Sequence, residues 1–139
     1  MNMNSSFLDN VEFLDEGIDL ANFSKEAEIE KYKDITAAPW ELIIRLFIEP
    51  PQTSDGIYIP QSVHDEQQYR ACVGLVVKQG CAVYLDPRYE QTGRWCEVGD
   101  WVLFPRHAGF KIHYENMPTF VIKEDGVSGV LLNPLSVRR

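Results

Sequence analysis

Residues 40–60 read WELIIRLFIEPPQTSDGIYIP, and three kinds of sequence follow one another in them. Leu42–Ile48 is rich in β-branched and aromatic side chains, which pack well on a pleated surface, so it is predicted to form a strand. Pro50-Pro51 ends that strand, because proline offers no N–H to a ladder and restrains the residue before it. A polar loop, Glu49–Gly56, then delivers an apolar tripeptide, Ile57-Tyr58-Ile59, which Pro60 stops. Three large apolar residues on a polar loop either fold back onto a core or await another protein.

Outward from that stretch the texture is short strands separated by turn signals, which predicts an all-β domain, a small barrel or sandwich. Tyr69–Lys78 alternates at Ala71, Val73, Leu75 and Val77, the pattern of a half-buried strand, with Gly74 marking a bulge or a close backbone approach. Gln79–Cys96 reads as an insertion with turns at Asp86-Pro87 and Thr92-Gly93, beneath which Tyr84, Tyr89 and Trp95 pack. Glu97–Asp100, His107–Gly109 and Glu115-Asn116 are turns between the strands Trp101–Pro105, Phe110–Tyr114 and Met117–Lys123, and Gly126–Leu132 supplies the last strand.

Charge divides the chain. Residues 1–38 hold nine acids and three bases, against twelve acids and ten bases in the rest, so 1–38 reads as an acidic arm and 39–139 as the domain. Within it, residues 1–23 read as a frayed tail, or as an amphipathic segment spaced at Leu8, Val11, Leu14 and Ile18 that orders by docking on a subunit or partner. Ser24 is placed to cap a short helix over Lys25–Lys33, with Ile29 and Tyr32 on one face and Glu28 paired with Lys31.

Composition excludes several functions. A hydrophobic fraction of 45% is that of a globular core rather than a disordered chain. No run of about 18 apolar residues offers a membrane span, and the N-terminus lacks a signal-peptide pattern, so an intracellular, cytoplasmic protein is expected. A net charge of −8 argues against a nucleic-acid partner. Cys72, Cys81 and Cys96 form no CxxC pair and read as free thiols, and no metal-ligand spacing joins them to His64, His107 or His113. No catalytic triad or phosphate-cradling loop is present, so neither an enzyme nor a cofactor is expected; His107 reads as a surface histidine in a turn, and Asp86, Arg88 and Glu90 as a solvated tip.

The order of these features resembles the GroES co-chaperonin family over Trp40–Leu132. Val98-Gly99-Asp100-Trp101-Val102-Leu103-Phe104, followed by Ala108-Gly109, resembles the family's V-G-D-x-V-L-F strand and glycine turn. Gly56-Ile57-Tyr58-Ile59-Pro60 resembles the G-G-I-x-L-P segment at the end of its mobile loop. Arg70–Val77 resembles the strand that follows, and Phe120-Val121-Ile122 with Asp125 the penultimate strand and turn.

The resemblance implies a small irregular β-barrel forming a seven-membered homo-oligomeric ring that caps a chaperonin in a nucleotide-dependent way. Gly56, Ile57, Tyr58, Ile59 and Pro60 would be the partner-binding residues, and Cys81–Trp95 a roof hairpin. The departures are Asp55 for a first glycine, Tyr58 for the usual valine, a short loop, and Gly126–Val130 for the acidic D-I-L-A-V ending. They suit a bacteriophage-encoded member. The other reading is a virion component, bound to capsid or tail proteins, built on the same barrel.

Overall fold

A computed structural model describes residues 12–13, 23–49 and 71–136. Its strands are β1 (Glu12–Phe13), β2 (Glu41–Glu49), β3 (Ala71–Gln79), β4 (Trp101–Pro105), β5 (Gly109–Tyr114), β6 (Met117–Lys123) and β7 (Gly129–Leu131), with one helix, α1 (Lys25–Glu30). All pairings are antiparallel in a single seven-stranded sheet of order β5-β6-β2-β3-β4-β7, with β1 beside the end of β2.

That order forces curvature. Pro105 of β4 and Gly109 of β5 are joined through Arg106–Ala108, a reach of at most about 14 Å. In a flat sheet their strands would stand four steps of about 4.8 Å apart, roughly 19 Å. The sheet therefore curls, and the described chain is all-β apart from α1 and short 3-10 turns, as expected. Tight turns serve the hairpins as expected: Glu115 and Asn116 both take positive φ, which suits the twist of β5–β6, and Gly99 (φ 98°) turns the chain into β4.

The central strands differ from expectation in one respect. β3 is not half-buried: Cys72 through Val77 are all buried, on both faces. The alternation caught one face only, because the other side is covered too, which a sheet between two layers requires. On one side Leu42, Ile44, Leu46, Cys72, Val76, Val102, Phe104, Phe120 and Ile122 form a core closed by Val83, Tyr84, Tyr89 and Cys96. On the other, Ile43, Phe47, Val73, Leu75, Val77 and Trp101 pack with Tyr32, Phe23, Ile29 and Ile35. Gly74 is a close approach, as read: a Cβ there would stand 2.3 Å from Ile44 Cγ2. The β2–β3 register also slips at Phe47, opposite this point.

The second layer comes from residues assigned by charge to the arm. Ser24 caps α1, its hydroxyl accepting from the Ala27 N–H, and the helix ends at Glu30, followed by a turn through Asp34. Lys31 Nζ donates to Glu28 Oε1 at 2.8 Å, the expected pair. Tyr32 is wholly buried; its hydroxyl lies 2.8 Å from Thr119 Oγ1, which itself donates to the Met117 carbonyl, so Tyr32 is the donor. Tyr32 also stacks on Tyr114 at 5.2 Å.

Burial pushes the Tyr32 phenol up to about 12. A folded-state value above the unfolded one means stability that is complete below pH 10 and lost as pH rises toward 12. Denaturant titrations should show that loss between pH 10 and 12. Tyr32→Phe should make the loss shallower there, with Tyr84, also raised by burial, keeping its own share, while costing about 1 kcal/mol at neutral pH for the hydrogen bond. An unchanged alkaline profile in the variant would refute the assignment.

Candidate functional site

The residues expected to bind a partner, Gly56, Ile57, Tyr58, Ile59 and Pro60, lie outside the described residues. The described chain fixes where they attach. β2 runs out to Glu49 and β3 begins at Ala71, and the two strands are direct neighbours, with Ile48 opposite Val73. Residues 50–70 thus leave and return at one end of the sheet. A two-residue turn suffices to join such strands, so the connection itself does not require a segment of this length.

The root of that segment is braced on every side. Ala71 and Cys72 pair with Pro105 and Phe104 of β4. On the other side of β2, beyond the start of the β6 pairing at Thr119, Phe13 and Glu12 of β1 pair with Ile48 and Glu49. Beneath, Phe47 meets the edge of Trp101 at 5.1 Å, Phe23 lies 5.6 Å from the same ring, and Lys25 Nζ stands over it at 5.9 Å.

Within β2, Arg45 points into the layer made by α1. Its Nε is 3.3 Å from Glu28 Oε2, an ion pair whose atoms are not aligned for a hydrogen bond, and its Nη1 donates to the Leu46 carbonyl at 2.7 Å. Both side chains are buried, and burial holds the Arg45 guanidinium below its usual range. Sequence reasoning passed over this pair. The available signal was a lone arginine in the middle of ELIIRLFIE, which a buried strand tolerates only with a charged partner.

The opposite end of the sheet is organised by Glu124, also buried. Its Oε2 accepts the Tyr84 N–H at 2.8 Å, its carbonyl accepts the Tyr84 hydroxyl at 2.7 Å, and Arg88 Nη2 approaches its Oε1 at 3.4 Å. These bonds hold Tyr84 at φ 60°, an uncommon conformation for an aromatic residue. Tyr84, Tyr89 and Trp95 meet at 5.1–5.8 Å, as their spacing predicted.

The roof hairpin implied over Cys81–Trp95 is corrected here. No strand lies between Gln79 and Trp101; turns and the 3-10 turn Pro87–Tyr89 fold down onto the core instead. The aromatic trio and Glu124 draw the segment inward, where a projecting hairpin would leave those rings in water. Asp86 caps the 3-10 turn through the Arg88 N–H, and Arg88 is engaged by Glu124, so this tip is more than solvated charge.

Cys72 and Cys96 are buried, Cys81 is exposed, and none is in a disulfide. Among the described residues no three of His, Cys, Asp and Glu gather as metal ligands, and no helix is long and apolar enough to cross a membrane.

A curled antiparallel sheet with two buried central strands and one short helix packed across it defines a small all-β domain. The family described as Chaperonin 10 Kd subunit matches residues 26–131, and the chain belongs to it. Among curated relatives, the Co-chaperonin GroES of Bacillus sp. strain PS3 is 27% identical over 90 residues, covering 65% of this chain and 90% of the relative. That of Geotalea daltonii is 28% identical over 94 residues (65% and 88%), and that of Thermodesulfovibrio yellowstonii 31% over 83 residues (60% and 78%). The family is one of chaperonin subunits and not an enzyme class. Its match begins within α1, inside the segment that charge had assigned to the arm.

Proposed function

We propose that this chain is a co-chaperonin-like subunit of a homo-oligomeric ring. In this reading Gly56–Pro60 docks on a chaperonin rim and the ring caps the folding chamber, without cofactor or catalysis of its own. The observation that carries the reading is the placement of residues 50–70 between adjacent, rigidly paired strands in a chain of this family. A polar segment with one apolar tripeptide buries too little area to order itself, so it folds on binding and loses entropy then. Single contacts are weak, and a seven-membered ring restores affinity by multivalency.

Among the described residues, both outer strands, β5 and β7, have one side unpaired in the sheet, and Phe110, Val130 and Leu132 stand exposed on or beside them. Two different edges suit a head-to-tail contact, the kind that closes into rings. Residues 23–38 belong to the folded unit in this proposal, and only what precedes them is the arm.

The test is co-elution of the purified chain with the chaperonin of its host cytoplasm, with and without adenine nucleotide. Nucleotide-dependent co-elution is expected. Failure under both conditions, with the domain folded, would move the reading to a virion component held by capsid or tail proteins.

A further inference from the structure

We infer that β1 is an autoinhibitory placeholder: it covers a strand-docking notch on β2 and lifts off when an extended segment of the chaperonin takes its place. The inference rests on the proposed docking and adds a second, competed contact beside it.

The notch follows from where the pairing of β6 with β2 stops. That ladder runs from Lys123 opposite Glu41 to Thr119 opposite Arg45. In the same register Pro118 would stand opposite Leu46, and proline has no N–H to carry a ladder on. Pro118 keeps its partner in β5, His113, on the other side. The opposite flank of β2 goes on pairing with β3 as far as Ile48 opposite Val73. Leu42–Arg45 thus lie between two strands, whereas Leu46–Glu49 run on with one flank beyond the β6 ladder.

Little fills that flank. The Leu46 carbonyl accepts a hydrogen bond from Arg45 Nη1 at 2.7 Å, a donor from a side chain. Past it stands β1, two residues long, with Phe13 opposite Ile48 and Glu12 opposite Glu49. Strands usually run to about five or six residues, so this ladder has few hydrogen bonds and opens at small cost. An open flank is a template for any extended chain, which pairs with it through backbone groups alone. The seating of β1 shows that this flank accepts a segment running antiparallel to β2.

Its position selects the occupant. The notch lies at the end of the sheet from which residues 50–70 leave. A chaperonin held through those residues stands beside it, and such tethering raises the effective concentration of a second segment to roughly millimolar. That suffices to compete with a two-residue ladder. β1 competes from within the chain and so lowers the affinity of docking, because only the fraction with the notch uncovered is ready to bind.

Glu12→Pro/Phe13→Pro in the full chain removes both N–H groups from β1. Amide exchange across Ile48–Glu49, read by NMR, should become about tenfold faster while Leu42–Arg45 is unchanged. The variant should also bind the chaperonin, with adenine nucleotide present, about threefold to tenfold more tightly than the unaltered chain. Within the unaltered chain, binding should speed exchange at Glu12 and Phe13 and slow it across Ile48–Glu49. Exchange indifferent to the prolines would mean that β1 does not cover the flank. Equal or weaker binding by the variant would mean that β1 does not compete, and either result overturns the inference. Binding by neither chain would overturn the docking reading itself and take this inference with it.

Discussion

Deleting residues 1–38 is expected to leave no folded domain, whereas deleting residues 1–22 leaves a chain that melts cooperatively close to the full-length temperature. The first cut strips Phe23, Ile29, Tyr32, Ile35 and Ala37 from one face of the sheet and bares Ile43, Phe47, Val73, Leu75, Val77 and Trp101. Loss of a buried side chain the size of Tyr32 alone costs about 3–5 kcal/mol, and a domain of this kind is stable by only about 5–15 kcal/mol. The second cut removes the two-residue strand β1 and keeps Phe23, Ile29, Tyr32, Ile35 and Ala37 in place. A milder version isolates the electrostatic part. Glu28→Ala leaves Arg45 buried without its carboxylate and should cost about 3–5 kcal/mol, while Glu30→Ala, on the exposed face of the same helix, should cost less than about 0.5 kcal/mol. Circular dichroism melts of the four proteins decide the matter. A soluble 39–139 fragment melting like the 23–139 fragment would show that α1 is an accessory.

The all-β class, the turns and most strand positions were legible because they follow from local chemistry. Pro50-Pro51 ends a strand wherever it stands, and Glu115-Asn116 tolerates positive φ in any hairpin. The family was legible from V-G-D-W-V-L-F and its companions in order. What the sequence hid was which charges face inward. Counting acids put residues 23–38 with the arm, yet Glu28 in that run points at Arg45, and Tyr32 crosses to Thr119. A net charge averages over such residues, and only a partner far along the chain reveals that one carboxylate is internal. The same holds for Glu124, whose three contacts to Tyr84 and Arg88 lie 36 to 40 residues away in sequence. The excursion over Cys81–Trp95 was misjudged for the opposite reason. The family resemblance implied a projecting hairpin, while this chain's own aromatic residues, read correctly as packing beneath the segment, already favoured one folded down onto the core.

Ile57→Ser is expected to abolish retention by the chaperonin while leaving the domain as stable as before. Removing a buried isoleucine side chain from a contact forfeits about 1.5–3 kcal/mol, roughly a tenfold to hundredfold loss at one loop. Loops presented by one ring engage together, so the losses compound, and a few weakened loops suffice to take binding below detection. The root sharpens the contrast, because β2 and β3 pair with each other up to Ile48 and Val73. Stability should therefore shift by less than about 0.5 kcal/mol, as for other exposed substitutions. Thr53→Ser, on the polar part of the loop, serves as the control and should leave binding within about twofold, since rim contacts contribute little. Two results would defeat the proposal. Undiminished co-elution of Ile57→Ser would show that the tripeptide is not the contact. A melting temperature lowered by many degrees would put Ile57 in this subunit's own core, and a residue used there is not free to enter a partner's groove.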